Sequence, residues 1–326
     1  DIQGGGRDER DVNDEAISQA TIMYTIISST LKKAGMKTHV YGQKYFSFEI
    51  VAVDGFVKYY AVVPAVLTET VKQAILTSYP TARLEETEVE NIFSRDGMDD
   101  SEGTGNQYNA GGELVMKKEV EYPILTFQEM KWDAQLALLN AFSKVRIGEG
   151  LGLQVMFRPL DSSWSKNAET KIKNIKSGKK GFSGKGSNLP IRILYLLMDI
   201  IREPFEVPDE HKKDKDEHNS ELSQKKQEEI QAIDTKAKFP AFECLIRIVA
   251  HSKSKARSEG LVGGVVAAFS QFDSPNSNGF KYDLSKKIDQ LVTDYIFRFF
   301  PVSNKKIVLN TQELATIFHL PSQASI

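Results

Sequence analysis

Cysteine is almost absent from this chain: one residue, Cys244, occurs among 326. A single thiol excludes an intramolecular disulfide framework and a zinc site built from several cysteines. Such scarcity is typical of a reducing compartment, so we expect a cytosolic location. Cys244 alternates with apolar residues along a predicted strand, and this pattern predicts a buried, unreactive thiol.

Long apolar runs and an excess of one charge are also missing. The most apolar predicted helix, residues 189–201, is too short for the roughly 20 residues that a bilayer-spanning helix requires. The first residues are polar and acidic, so we predict no signal peptide, and their lack of a methionine suggests the edge of a larger protein. With 42 Lys and Arg against 44 Asp and Glu, the net charge of −2 excludes neither nucleic acid nor protein partners.

The patterns of known catalytic and metal sites fail at defined positions. Residues 181–186 resemble a phosphate-binding loop, but Lys179 stands where its first glycine belongs and Gly186 where a magnesium-binding hydroxyl belongs. The glycines of residues 148–152 precede a strand instead of opening a helix, which is wrong for a dinucleotide fingerprint. The five histidines are scattered, and no nucleophile elbow occurs. We therefore predict no catalytic, cofactor or metal site in this chain; an enzyme with an unrecognised site is the remaining alternative.

Residues 45–86 hold the clearest structural pattern. Apolar and polar residues alternate, the chain turns at Asp54-Gly55, returns as a second strand and continues into an amphipathic helix. Asp-Gly between two such strands is a strong hairpin signal, because both turn positions need positive φ. Residues 83–89 suggest a third, edge-type strand. Strands predicted at 151–158 and 242–250 also precede helices, which indicates a weak internal repeat.

Strand–helix–strand units with antiparallel hairpins are typical of α+β proteins. We predict an α+β fold of two tandem split β-α-β, ferredoxin-like sandwiches, with an N-terminal helix and a charged insertion. The predicted division is a lead-in and helix at residues 1–34, a first unit at 35–125 and a second unit at 126–326. The insertion in the second unit spans about 177–219.

Three positions are predicted to begin helices. Asp133 and Ser162 each precede a helical pattern, and such short polar side chains accept hydrogen bonds from the first free backbone N–H groups. Asn310 is followed three positions later by Glu313, the spacing of a capping box.

Lysines are concentrated in one stretch that a single acidic residue, Glu169, interrupts. The cluster comprises Lys166, Lys171, Lys173, Lys176, Lys179, Lys180 and Lys185. Ammonium groups at this density can contact phosphates without reading bases. One hypothesis is a stand-alone nucleic-acid-binding protein that uses the Lys166–Lys185 patch; the other is an ordinary solvated helix face that runs into a loop. The acidic excess of residues 203–229 would neutralise the cluster within the chain.

Three stretches together resemble a known family. They are Phe-Ser-Phe-Glu-Ile-Val at 46–51 continuing to Tyr79-Pro80; residues 242–250 with Phe-Ser-Gln-Phe at 269–272 and Asn-Gly-Phe at 278–280; and Leu-Asn-Thr-Gln-Glu-Leu-Ala at 309–315 continuing to His319-Leu320-Pro321. Tyr122-Pro123-Ile124 and Thr126-Phe127 fit as well. The chain resembles the amino-terminal region of conjugative type IV secretion ATPases, of the coupling-protein, TraG/TraD-like kind in its candidate-phyla bacterial form. The resemblance covers most of residues 14–321 and rests on order and spacing, since no single motif is specific.

In that family a motor domain with P-loop and Walker B motifs follows the Leu-Asn-Thr to Leu-Pro segment, whereas this sequence stops at Ile326. The resemblance implies a non-catalytic docking and assembly region, with ATP and magnesium expected only for a downstream motor domain. The implied partners are that motor domain, components of the membrane secretion channel, DNA, and further copies of the chain in a homo-oligomer. The implied location is cytoplasmic and peripheral to the inner membrane.

Overall fold

The structure, a computed structural model, describes residues 9–32, 43–93, 108–130, 133–177, 224–274, 277–302 and 306–321. Its strands are β1 (Phe46–Val53), β2 (Phe56–Val62), β3 (Tyr108–Met116), β4 (Gly150–Pro159), β5 (Ala241–Ser252), β6 (Phe280–Leu284) and β7 (Ile307–Asn310). They form one seven-stranded sheet in the order β2-β1-β4-β5-β3-β6, with β7 paired to β5. Every pairing is antiparallel, and β7 and β3 share one side of the long β5.

Eight α-helices accompany the sheet in the described ranges. They are α1 (Glu9–Ser28), α2 (Thr68–Ser78), α3 (Ala134–Phe142), α4 (Ser163–Lys176), α5 (Gln224–Ala237), α6 (Lys255–Phe269), α7 (Ile288–Ile296) and α8 (Thr311–Ile317). Two short 3-10 helices lie at Ala65–Leu67 and Ser270–Phe272. No helix in this part of the chain combines the length and the apolar character needed to cross a bilayer.

The main core lies between one face of the sheet and the helices α1, α2, α3, α6 and α8. Side chains alternate between the two faces of a strand, so β1, β4 and β5 each send every second residue into this core. Phe48, Phe157 and Phe242 surround Tyr24 of α1 at ring-centroid distances of 5.9, 5.4 and 6.2 Å. The Tyr24 hydroxyl donates to the carbonyl of Phe318 at 3.0 Å, so this fully buried polar group is satisfied.

The opposite face of the sheet carries a smaller apolar cluster under α7. Val51 and Val249 contact Leu291 and Tyr295 there. Tyr295 lies directly over Gly152, where a Cβ atom would be 2.2 Å from the tyrosine hydroxyl. Only glycine therefore leaves room for this ring on the central strand β4.

The local sequence signals have mixed outcomes. The Asp54-Gly55 hairpin is confirmed, with φ of 53° and 89° at the two residues. The predicted strand at 83–89 is wrong: these residues form no strand, and Glu86 pairs with Lys72 of α2 at 2.5 Å instead. No described strand pairs with residues 83–89, so their backbone forms no ladder of hydrogen bonds.

Two of the three predicted helix caps are confirmed. Asp133 accepts a hydrogen bond from the backbone N–H of Gln135, and Asn310 forms the full capping box with Glu313. Ser162 makes no side-chain cap; the carboxylate of Asp161 takes the N–H of Ser163 at 2.9 Å instead. A carboxylate is the stronger acceptor and also suits the positive end of the helix.

The α+β class is confirmed, but the two-sandwich arrangement is corrected by the strand pairings. β1 pairs with β4 from Phe46 to Val53, and β3 pairs with β5. These pairings cross the predicted boundary at 125/126, so the described strands form one sheet rather than two ferredoxin-like sheets. β4 and β5 are buried along their whole length and need neighbours on both sides, which strands from both halves of the chain supply. Most of the charged insertion, together with the helix predicted at 189–201, lies outside the described residues.

Candidate docking site

A row of polar side chains crosses four neighbouring strands on the face of the sheet opposite the main core. Glu49 of β1 lies opposite Gln154 of β4, which lies opposite Arg247 of β5, which lies opposite Glu113 of β3. The amide of Gln154 donates to Glu49 at 3.0 Å, and Arg247 donates to Gln154 at 3.3 Å and to Glu113 at 3.2 Å. The register of the sheet therefore builds one continuous hydrogen-bonded row, which we call the polar row.

Charges in and beside the polar row are paired within the protein. Burial lowers the pKa of Arg247, and the nearby carboxylate of Glu113 acts in the opposite direction. A second buried pair joins Arg158 and Glu243 at 2.9 Å on the same face. Buried charges of this kind are tolerated when they are paired and hydrogen-bonded, so the row acts as a scaffold.

The polar row and the neighbouring Arg158 hold the chain that follows α7. Arg298, with a φ of 52°, donates to both carboxylate oxygens of Glu49 at 2.8 and 3.1 Å. Arg158 donates to the carbonyl of Val302 at 2.5 Å and stacks on the ring of Phe300 at 4.5 Å. Phe300 itself is buried against Met156 and Leu245. Residues 296–302, which we call the aromatic loop, are thus fixed from their inner side.

The outer side of the aromatic loop is apolar and open to solvent. Phe297 is 76 % exposed, Val302 55 %, Phe299 54 % and Ile296 41 %. Scattered exposed apolar residues are ordinary, but several on one short, internally anchored segment are typical of an interaction site. The sequence contains the signal, since Ile-Phe-Arg-Phe-Phe-Pro-Val is too apolar for a solvent loop, but only the structure shows which side chains face outward.

The predicted basic cluster is only partly described. Lys166, Lys173 and Lys176 lie on the solvent-exposed side of α4. Lys171 turns inward, pairs with Glu119 and lies 5.4 Å from the centre of the Tyr122 ring. Lys179, Lys180 and Lys185 lie outside the described residues. The structure thus brings three of the seven lysines onto one surface and neutralises a fourth.

A buried lysine that the sequence did not single out joins α5 to α8. The Lys236 ammonium donates to the carbonyls of Val120, Tyr122 and Val308 at 2.8, 3.2 and 2.8 Å. It also pairs with Glu313 at 3.2 Å. Burial lowers its pKa, while Glu313 raises it. A lysine with a lowered pKa is a candidate nucleophile, but these four contacts occupy the ammonium and its side chain is fully buried.

Cys244 and His319 are two further reactive side chains that are buried in the protein. Cys244 is buried, as predicted, and burial raises the pKa of its thiol. His319 lies between the carbonyl of Ala315 at 3.0 Å and the carboxylate of Asp133 at 3.2 Å. Within the described ranges, no group of three or more His, Cys, Asp or Glu side chains could hold a metal ion.

Comparison with known proteins assigns the chain to a family. Residues 11–325 match the family model described as "Domain of unknown function (DUF8128)". The match covers nearly the whole chain, so the protein belongs to this family. No curated protein matches the sequence.

Proposed function

We propose that this member of the DUF8128 family is a non-catalytic docking and assembly region of a type IV secretion ATPase that acts in conjugative DNA transfer. The observation that carries the proposal is the aromatic loop, which presents apolar side chains from a backbone that Glu49 and Arg158 hold in place. The sequence resemblance indicates the assembly in which such a loop would act, a type IV secretion system. We assign the loop's partner as a protein component of the membrane channel.

The energetics of the aromatic loop support a protein partner. Aromatic residues are enriched in protein interfaces, and a few buried anchors provide most of the binding energy. Phe297 and Phe299 would each contribute about 1.5–3 kcal/mol if a partner buried them. The anchored backbone means that little conformational freedom is lost on binding, which favours affinity.

The remaining parts of the proposal follow from the same role. The charged groups of the polar row are used in internal pairs, which suits a scaffold better than an active site. ATP and magnesium would bind only to a motor domain downstream of this chain. The protein would lie in the cytoplasm, peripheral to the inner membrane, and would be held there by its channel partner.

A binding measurement with soluble domains of the channel tests the docking role. We expect the wild-type chain to bind one of them and the double variant F297S/F299S to bind at least tenfold more weakly, because two apolar anchors are lost. The matched control is F56S/V66S, which removes two apolar side chains that are 70 % and 72 % exposed elsewhere. Equal binding by the two double variants, or no binding by the wild type, would overturn the proposal.

The non-catalytic part has its own test. The purified chain with ATP and Mg²⁺ should release no phosphate above background, whereas turnover of roughly 1 s⁻¹ or more, as enzymes typically show, would contradict the proposal. The reading frame beyond Ile326 should encode a Gly-x-x-x-x-Gly-Lys-Ser/Thr motif. A reading frame without that motif would contradict the proposal that this chain is part of an ATPase.

A second candidate function rests on the exposed side of α4. Lys166, Lys173 and Lys176 would contact phosphates of a nucleic acid, and the affinity would fall steeply with salt. The variant K166E/K173E/K176E should abolish binding to duplex DNA. The control K253E/K286E/K287E makes the same charge change at exposed lysines elsewhere. Equal loss in both variants would indicate a general charge effect and count against this candidate.

A further inference from the structure

The seven-stranded sheet ends at β6, and no described strand pairs with the outer edge of β6, where the Asp273 side chain accepts from the N–H of Phe280. β6 has the sequence Phe-Lys-Tyr-Asp-Leu and is paired on its inner side with β3, from Met116 opposite Phe280 to Gly112 opposite Leu284. An unpaired edge presents backbone N–H and C=O groups to any strand of suitable sequence. The sequence of β6 therefore decides which strand it accepts.

The hydrogen bonds that flank β6 show which of its backbone groups point outward. The backbone N–H of Lys117 donates to the carbonyl of Gly279 at 2.9 Å, and the backbone N–H of Ser285 donates to the carbonyl of Gly111 at 3.1 Å. Residues of an antiparallel strand alternate in direction, so the odd-numbered residues face β3 and the even-numbered ones face outward. Consistently, the N–H of Phe280 donates to the Asp273 side chain at 3.0 Å and not to β3. The N–H and C=O groups of Tyr282 and Leu284 thus point to the open edge.

We propose that β6 pairs with β6 of a second copy of this chain, antiparallel about a two-fold axis at Tyr282. In this register Lys281 lies opposite Asp283 of the partner, and Asp283 lies opposite the partner's Lys281, so two ion pairs form. Phe280 lies opposite Leu284, and the two Tyr282 residues face each other. Opposite charges and aromatic pairs directly across strands stabilise a sheet.

Other pairings of the same two edges are disfavoured by charge. A parallel, in-register pairing would place Lys281 beside Lys281 and Asp283 beside Asp283. An axis at Leu284 would place Lys281 opposite Lys287. An axis at Lys281 would place this lysine opposite its own copy, and an axis at Asp283 would place two carboxylates opposite each other. The axis at Tyr282 is the register in which charge and hydrogen-bond direction agree.

Exposure of the side chains agrees with this register. Leu284 is 60 % exposed, and the partner's Phe280 and Tyr282 would cover it. Lys281 and Asp283 are both exposed, on the other face of the strand. A five-residue edge buries less than the roughly 1,000 Å² of a stable interface, so the dimer of the free chain would be weak. It would strengthen when copies are held together in an assembly. This inference specifies the assembly part of the proposed function and rests on it only for the dimer's role.

Disulfide trapping tests the register. Opposed, hydrogen-bonded residues of an antiparallel pair have Cα atoms about 5.5 Å apart, a distance that a disulfide spans. We expect Y282C to form a covalent dimer under mild oxidation, because the native Cys244 is buried and silent. The control L284C places the two thiols on opposite sides of the axis, about 13 Å apart along the strands, and should remain monomeric. Equal trapping of both variants, or none of Y282C, would overturn the register.

Charge reversal tests the pairing without new cysteines. K281D and D283K should each weaken the homodimer about tenfold in sedimentation analysis, because two attractive pairs become two repulsive ones. A mixture of the two variants should restore a heterodimer, and K281D/D283K should restore the homodimer. Asp283 lies opposite Glu113 within the chain, so D283K introduces no like-charge contact there. Weakening without restoration would overturn the proposal.

The two proposals fail separately. If the chain binds the channel through the aromatic loop but Y282C forms no covalent dimer, the β6 pairing is contradicted and the docking role stands. If the chain dimerises through β6 but binds no channel component, the β6 pairing stands and the docking role is contradicted.

Discussion

Arg298 reaches the fully buried carboxylate of Glu49 from a left-handed backbone conformation. Its φ is 52°, and its guanidinium makes two hydrogen bonds to Glu49 at 2.8 and 3.1 Å. Non-glycine residues adopt such φ values at a cost of order 1–3 kcal/mol, which surrounding contacts must offset. The charge pair offsets this cost and thereby shapes the aromatic loop.

Loss of the Arg298 side chain should therefore destabilise the fold. We expect R298A to lower the free energy of unfolding by about 2–3 kcal/mol in urea, because Glu49 becomes a buried charge without its cation. The figure lies below that for a fully buried pair because Arg298 is 21 % exposed. The double variant E49Q/R298Q should be less destabilised than R298A. K58A, which breaks a surface pair with Glu90, is the control and should leave the urea midpoint nearly unchanged.

Lys236 and Lys238 provide a matched pair for the buried lysine. K236M should destabilise the protein by about 3 kcal/mol or more, because Glu313 loses its counterion and three carbonyls each lose one donor. K238M makes the same change two residues later, where the lysine is exposed and pairs with Asp234. It should shift the midpoint of chemical denaturation little. Similar shifts for both would contradict a structural role for Lys236.

The contact between Asp133 and His319 should make stability depend on pH. Burial alone would raise the pKa of Asp133, but the hydrogen bond and charge of His319 lower it below its usual value. A carboxyl whose folded-state pKa is depressed contributes stability above its unfolded pKa of about 3.9, and this contribution is lost as pH falls through the folded-state value.

The variant D133N isolates this effect. Asparagine caps a helix about as well as aspartate does, so the α3 cap is kept while the charge is removed. We expect D133N to be less stable than the wild type by about 1–2 kcal/mol at pH 7, with the difference shrinking below about pH 4. Thermal or urea unfolding across pH 3–7 measures it. A difference that stays constant over this range would contradict a depressed pKa of Asp133 in the folded state.

Two glycines should respond in opposite directions to alanine. At Gly152 a Cβ atom would be 2.2 Å from the hydroxyl of the buried Tyr295, so G152A should destabilise by about 1–3 kcal/mol. At Gly263, on the exposed side of α6, a Cβ atom would meet nothing within 4 Å. G263A should stabilise by up to about 1 kcal/mol through helix propensity. Melting temperatures compare the two, and a stabilised G152A would contradict the placement of Tyr295.

Local signals in the sequence were reliable where one short-range interaction decides the structure. Asp54-Gly55 predicts its hairpin because only residues that tolerate positive φ fit the turn, and Asn310 with Glu313 predicts its capping box. The cap predicted at Ser162 was wrong because the carboxylate of the neighbouring Asp161 accepts from the backbone N–H of Ser163. The strand predicted at 83–89 was wrong because a local sequence pattern cannot show whether a partner strand is within reach.

The candidate docking site was less accessible from the sequence. Glu49, Arg247 and Glu113 stand out as charges within apolar strands, but their partners are distant in the chain. Which of the aromatic residues near Phe297 faces solvent depends on the position of Arg298, and that depends on Glu49, 249 positions away. Pairings at such separations leave no periodic signal.

The sequence by itself determined the α+β class, the first hairpin, two helix caps and the burial of Cys244, because each leaves a pattern within a short stretch of the chain. The tertiary structure decided that strands from both halves of the chain share one sheet. β4 and β5 are buried along their whole length and need a paired strand on each side, and the order of strands along the chain does not show which strands these are. It also decided which lysines are exposed, which charges are buried in pairs, and which strand edge stays open. These features arise from register, which aligns residues far apart in the chain and is set by burial of the whole sheet.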